Sequence, residues 1–138
     1  MALHLVSSSA PLADCAFVHD SVPAGEILHV FGDIDIPSDA YFERALERAI
    51  RPNRNLVIDF SGTTYIGAAV LSVLVRARAR LGKRLRLAVP AGAFAARLLS
   101  IAQMQRLFTI DNSLQAALSS PDFLACEKSS EFCGFAVP

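Results

Sequence analysis

Residues Asn55 to Leu74 read NLVIDFSGTTYIGAAVLSVL, and the spacing of apolar side chains changes midway through them. Leu56 to Phe60 (LVIDF) is a near-continuous apolar run of strand length, the pattern of a strand covered on both faces. From Val70 onward the spacing is helical: Val70, Leu74, Ala77 and Leu81 fall on one stripe, widened by Leu71 and Val75. Ser61 to Ile66 then reads as the connection from a buried strand into an amphipathic helix. Arg76, Arg78 and Arg80 crowd the last turns of that helix, where cations complement its dipole, and Gly82 closes it.

Upstream, Glu26 to Ile36 (EILHVFGDIDI) reads as a strand with Ile27, His29 and Phe31 on one face and Leu28 and Val30 on the other. Gly32 ends its regular part or bulges it. Residues 13–19 (ADCAFVH) alternate as a short edge strand, and Val22 to Gly25 supply the turn between the two. Pro37 and Ser38 open a first helix, with Ser38 as N-cap and Asp39 in the first turn. Phe42, Ala45, Leu46, Ala49 and Ile50 form its inner stripe, and Pro52 stops it.

Downstream, Leu85 to Val89 is a strand ended by Pro90. A third helix is expected from about Ala91 to Ala102, with Phe94, Leu98 and Ile101 inward. Leu107 to Ile110 reads as a last short strand, and Asp111 or Asn112 as the cap of a fourth helix carrying Leu114, Ala117 and Leu118. The order β, β, α, β, α, β, α, β, α demands an α/β fold whose sheet is mostly parallel. Residues 119–138, with Phe123, Leu124, Phe132 and Phe135, carry no assignable element; packing back over the sheet and independence from it both stay open.

A chain of 138 residues has the size of one domain. Its longest nearly unbroken apolar stretch, Ile66 to Val75, is about half of what a bilayer needs, so no membrane insertion is expected. Met1 to Leu12 lacks a basic n-region and an apolar core, which argues against a signal peptide and for the cytoplasm. Cys15, Cys126 and Cys133 are an odd, sparse set with no CxxC pair, so neither a disulfide framework nor a metal site is expected. The formal net charge is zero but unevenly placed. Acidic residues crowd the first third, whereas Phe60 to Ile110 has none and carries Arg76, Arg78, Arg80, Lys83, Arg84, Arg86, Arg97 and Arg106. Such a dipolar surface suits steering toward a charged protein face. Nucleic acid is not expected as a partner, because no aromatics interleave with these cations and no binding motif is present.

No catalytic set emerges: G-x-S-x-G, Walker A and G-x-G-x-x-G patterns are all missing. His29, between apolar neighbours, reads as a satisfied, partly buried imidazole. Asp33 and Asp35 lie two apart after a strand, but two carboxylates fall short of a magnesium site, so no metal and no cofactor is expected. Asp59 stands at the C-terminal end of an apolar strand. There it either belongs to a functional edge or bonds loop amides.

The segment Asn55 to Leu74 resembles the STAS family, the sulfate transporter and anti-sigma factor antagonist domains, whose signature strand ends in V-T-F-I-D-S-S-G-L before a helix. FGDIDI (Phe31 to Ile36) looks like the family's G-E-L-D motif, and LRLAVP, Arg97 to Leu99 and RLFTIDNSLQAAL also match. The resemblance covers roughly residues 13–118. It leaves 1–12 as an N-terminal extension and 119–138 as a C-terminal tail. It implies a STAS-like mixed β-sheet of four to five strands with about four helices.

It also implies a non-catalytic regulatory protein whose partner is an anti-sigma factor or a serine kinase-like protein. In bacterial members a phosphorylated serine after the motif's Asp breaks that complex. Here D-S-S-G aligns with Gly67, Ala68, Ala69 and Val70, so the phosphosite equivalent, Ala68, has no hydroxyl to modify. Asp33, Asp35, Gly67, Ala68, Ala69, Val70 and Leu71 are the expected partner-binding residues. A constitutive binder, an accessory subunit of a transporter or signalling assembly, and a phosphosite moved to Ser61, Thr63, Thr64 or Ser72 remain open. So do a nucleotide- or lipid-sensing module and homodimerisation.

Overall fold

The computed structural model describes residues 3–6 and 15–120, the former by backbone alone. One six-stranded sheet runs in the order β1-β2-β3-β4-β5-β6. Its strands are β1 Leu3–Val6, β2 Cys15–Val22, β3 Gly25–Ile34, β4 Leu56–Ile66, β5 Leu85–Ala88 and β6 Thr109–Asp111. The helices are α1 Ser38–Ala49, α2 Ala68–Leu81, α3 Phe94–Ile101 and α4 Leu114–Ser119. β1–β2 and β2–β3 pair antiparallel, and every later neighbour pairs parallel. This is the expected mixed α/β sheet with its four helices and five strands. β1, which sequence reading left within an extension, joins as a sixth strand at the β2 edge.

Strands β3 to β6 follow one another in space as in sequence, so right-handed crossovers place α1, α2 and α3 on one face. There they bury Phe17, Leu28, Val30, Phe42, Ile58, Phe60, Leu74 and Leu87 in the main core. Phe42 sits between Phe17 and Phe60, with ring centroids 6.0 and 6.2 Å away. Alternate strand residues face the other way, where Val57 and Ala88 meet Ala117 of α4.

Three local expectations are corrected. Ser61 to Ile66 is not a connection: β4 continues to Ile66, because β3 also continues to Ile34 and offers its main chain as a partner. The buried residues of α3 are Ala95 and Leu99; of the expected stripe Leu98 packs half-buried against the core, while Phe94 and Ile101 are 41 % and 79 % exposed. Caps differ as well. Ser113, not Asp111 or Asn112, caps α4 by accepting from the Ala116 N–H, and Ser38 is the first residue of α1 behind Pro37. Gly82 closes α2 as expected, at φ 61°, a conformation that favours glycine. Cys15 is buried in the main core, whereas Cys126, Cys133 and the aromatic tail lie outside the described residues.

Candidate functional site

Parallel strands all end on one side of a sheet, and the loops leaving them are brought together there. In this chain β3 passes through Asp35 into α1, and β4 passes through Gly67 into α2. The two exits are tied directly, since the Gly67 N–H donates to the Ile34 carbonyl at 2.8 Å. Gly67 is the N-cap of α2 but has no side chain to cap with. A Cβ there would overlap Oδ1 of Asp35 and lie 2.5 Å from that residue's carboxyl carbon. Asp35 is held in place by its backbone. Its N–H donates to Ser38 Oγ at 2.9 Å, and its carbonyl accepts from that hydroxyl and from the Asp39 N–H, both at 2.7 Å.

The sequence-derived site residues divide on this edge. Asp33 is exposed and accepts the Thr64 hydroxyl. Asp35 and Ala69 are half-buried, and Ala68 is exposed at the head of α2. Gly67 is buried between the strand exits, Leu71 is half-buried against the core, and Val70 is fully buried. Val70 is therefore corrected from a contact residue to an anchor, because its place on the inner stripe turns it inward. Sequence reading missed the apolar flank of the edge. Ile36 is exposed at the turn, and Tyr65 packs its ring on that of Phe94 with 4.9 Å between centroids, both rings partly open to solvent. The spacing of α3 carried no signal for this, since FAARLLSI is apolar around most of its circumference.

A second polar cluster lies on the α4 face, where His29 and Asp59 are register partners on β3 and β4. His29 Nδ1 is 3.0 Å from Asp59 Oδ2, while the Ser61 hydroxyl and N–H donate to Asp59 Oδ1 at 2.7 and 3.0 Å. Burial pushes the Asp59 carboxyl up, but the hydrogen bonds from His29 and Ser61 together outweigh it and leave it below the usual range. Ser, His and Asp are all present, yet the carboxylate stands between the other two. A nucleophilic triad needs the imidazole in the middle, to take the serine proton while the carboxylate orients it. The cluster is instead an Asx-type lock within β4: Asp59 bonds a nearby main-chain amide, as one of its two readings held, but the amide of Ser61 belongs to the strand and not to a loop.

Glu26, buried at the opposite end of β3, was not singled out from sequence. Its carboxylate meets His19 Nε2 at 2.6 Å, Ser21 Oγ at 2.5 Å and Arg54 at 3.0 Å. Burial raises its carboxyl and these donors lower it further, for a net depression. It staples the start of β4 to the β2–β3 turn, since Arg54 also donates to the Val22 carbonyl at 2.6 Å.

The other hydroxyls near the edge are occupied or embedded in structure. Thr63 donates to the Phe60 carbonyl at 2.6 Å and Thr64 to Asp33. Ser72 is exposed one turn after Ala68 on the same face of α2. Among the described residues, no three His, Cys, Asp or Glu side chains converge to hold a metal ion, and no helix is long and apolar enough to cross a membrane.

A family model described as the STAS domain matches residues 18–117. The fold is similar to the crystal structure of an anti-sigma factor antagonist from Mycobacterium paratuberculosis, with a TM-score of 0.71 and 23 % sequence identity. That match covers 80 % of this chain and 96 % of the other. No curated protein matches the chain.

Proposed function

The chain belongs to the STAS domain family, and from that premise we propose that it is a cytoplasmic, non-catalytic regulatory domain that docks a switch kinase or an anti-sigma factor without a serine phospho-switch. Support comes from one observation above all: the exposed head of α2 is Ala68, beside a glycine cap and the Asp35 carboxylate from the β3–α1 connection. A surface-exposed alanine next to small residues lets a partner backbone approach closely. It offers no atom to which a kinase could attach phosphate, so docking is competent at all times and is set by the abundance of the two proteins. Asp33, Asp35, Ala68 and Ala69 supply the accessible contacts. Gly67, Val70 and Leu71 fix the angle at which α2 leaves the sheet.

The lopsided charge favours a protein partner over a small ligand. The acidic side chains of Asp33, Asp35 and Asp39 stand at this edge, and the head of α2 carries no acidic residue of its own. A phosphate-bearing ligand would meet carboxylates there rather than a glycine-rich cradle.

Affinity capture from native cells with the full chain and with Ala68→Arg, followed by mass-spectrometric identification, tests the reading. A kinase-fold or anti-sigma protein retained by the wild-type chain, lost with Ala68→Arg, and not released by ATP is the expected result. Equal retention by both baits would remove this edge from the function.

A further inference from the structure

We propose that this chain associates head to tail with a second copy of itself, the acidic edge at the strand ends of one copy seating on a cationic, partly apolar patch between α2 and α3 of the next. The two flanks of α2 differ in charge balance. Toward α1, Arg76 and Arg80 bond the carboxylates of Glu43 and Glu47. Toward the turn after α3, Arg78 donates through Nε to the Leu107 carbonyl at 2.7 Å, a bond that does not neutralise its charge. Arg97 and Arg106 are exposed, and among the described residues no carboxylate pairs with either of them or with Arg78. Val75, one turn before Arg78, is exposed, as is Leu107, and Ile101, one turn after Arg97 on α3, is 79 % exposed.

The complementary surface is on the same chain. Phe31 to Glu43, Ser61 to Val75 and Val89 to Ala96, which lead out of β3, β4 and β5 at the strand ends, contain no Lys or Arg. Their charged side chains are Asp33, Asp35, Asp39 and Glu43, and Glu43 is held by Arg76. Between Asp35 and Asp39, Ile36 is 75 % exposed. An acidic surface around one open isoleucine thus matches a cationic surface around another.

The two surfaces lie apart on the fold. Arg78 stands in the last turn of α2, about 15 Å along the helix from Ala68 at the edge. Leu107 precedes β6, at the end of the sheet where the parallel strands begin. One contact therefore leaves an open edge on one copy and an open patch on the other, to which further copies add. Exposed ion pairs contribute little energy but steer the approach and set the register. Burial of the two isoleucines supplies the apolar gain. Ala68 belongs to the same edge, so a seated copy covers the head of α2. No other partner is required, and the purified chain is tested by itself, separately from affinity capture.

Analytical ultracentrifugation of the full-length chain over a wide concentration range reads the association directly. A mean mass that climbs past two chains in low salt, and falls back toward one in about 0.5 M NaCl, is the expected result. Asp33→Lys with Ile36→Lys disables the edge, and Ile101→Asp with Arg106→Glu disables the patch, with far-UV circular dichroism as the check on folding. Each double variant alone should be monomeric where the parent associates. An equal mixture of the two should form a complex that stops at two chains, joined by the intact edge of one and the intact patch of the other. A parent chain that stays monomeric in low salt at every concentration would overturn the proposal. So would a parent that stops at two chains, association that survives either double variant, or a mixture that stays monomeric.

Discussion

The carboxylate of Asp35 occupies the space that a side chain at position 67 would need. The glycine at the N-cap of α2 and the aspartate after β3 are therefore sterically coupled: the carboxylate stands where the Cβ of any other N-cap residue would be. Gly67 has φ −92° and ψ 171°, extended backbone that any residue adopts, so its requirement is steric and not conformational.

Gly67→Asp is accordingly expected to destabilise the chain by about 1–3 kcal/mol, through overlap and like-charge repulsion with Asp35. In an Asp35→Ala background the same change meets free space and regains an N-cap worth about 1 kcal/mol. The double variant should be more stable than Gly67→Asp alone, with a coupling of about 1–2 kcal/mol in a urea double-mutant cycle. Additive effects would mean that the two residues do not share that space.

Much of this geometry was legible from residues and some was not, for physical reasons. The change from LVIDF to the stripe Val70, Leu74, Ala77, Leu81 found β4 and α2, because burial on two faces and on one stripe leave different spacings. The polar run Ser61 to Tyr65 hid the continuation of β4, which is held by main-chain pairing with β3 and leaves no apolar pattern. The Asp35–Gly67 and His29–Asp59 relationships join residues about 30 positions apart, and only the register brings them together. In α3 the sequence FAARLLSI is apolar around most of its circumference, so spacing selected the wrong stripe.

That correction has a stability consequence. Leu99 is buried in the main core, and Leu99→Ala is expected to cost about 2–4 kcal/mol. Ile101 is exposed, and Ile101→Ala should stay within about 0.5 kcal/mol of the parent in chemical denaturation. Similar losses for both would mean that Ile101 is buried as the expected stripe had it.

Acid sensitivity follows from Asp59 and Glu26. Each carboxyl lies below its ordinary value in the folded chain, because donors from His29 and Ser61, or from Ser21, His19 and Arg54, outweigh a burial effect that acts upward. A depressed folded-state value means that the unfolded chain binds the proton first. The stabilisation is therefore present above the ordinary values of 3.8 and 4.5 and is lost as pH falls through the lower folded-state values. Unfolding free energy measured in urea should drop from about pH 5 downward. Asp59→Asn and Glu26→Gln should each lower stability at neutral pH and flatten that acid limb. An acid limb of unchanged slope in both variants would place the sensitivity elsewhere.

The missing hydroxyl at position 68 makes a sharper demand, since any residual phospho-switch would have to use another side chain. Ser61 donates to the Asp59 carboxylate, and phosphate there would face that charge directly. Ser72 is exposed, but it lies between the buried Val70 and Val73 of α2. Presenting it in an extended form asks that turn of the helix to open. Intact-mass analysis of the chain after incubation with its captured kinase and ATP should show one unmodified species, and Ala68→Ser should gain a single phosphate at the new hydroxyl. Phosphate on Ser61 or Ser72 of the wild-type chain would mean that the switch has been moved along the same face, and permanent docking competence would no longer hold.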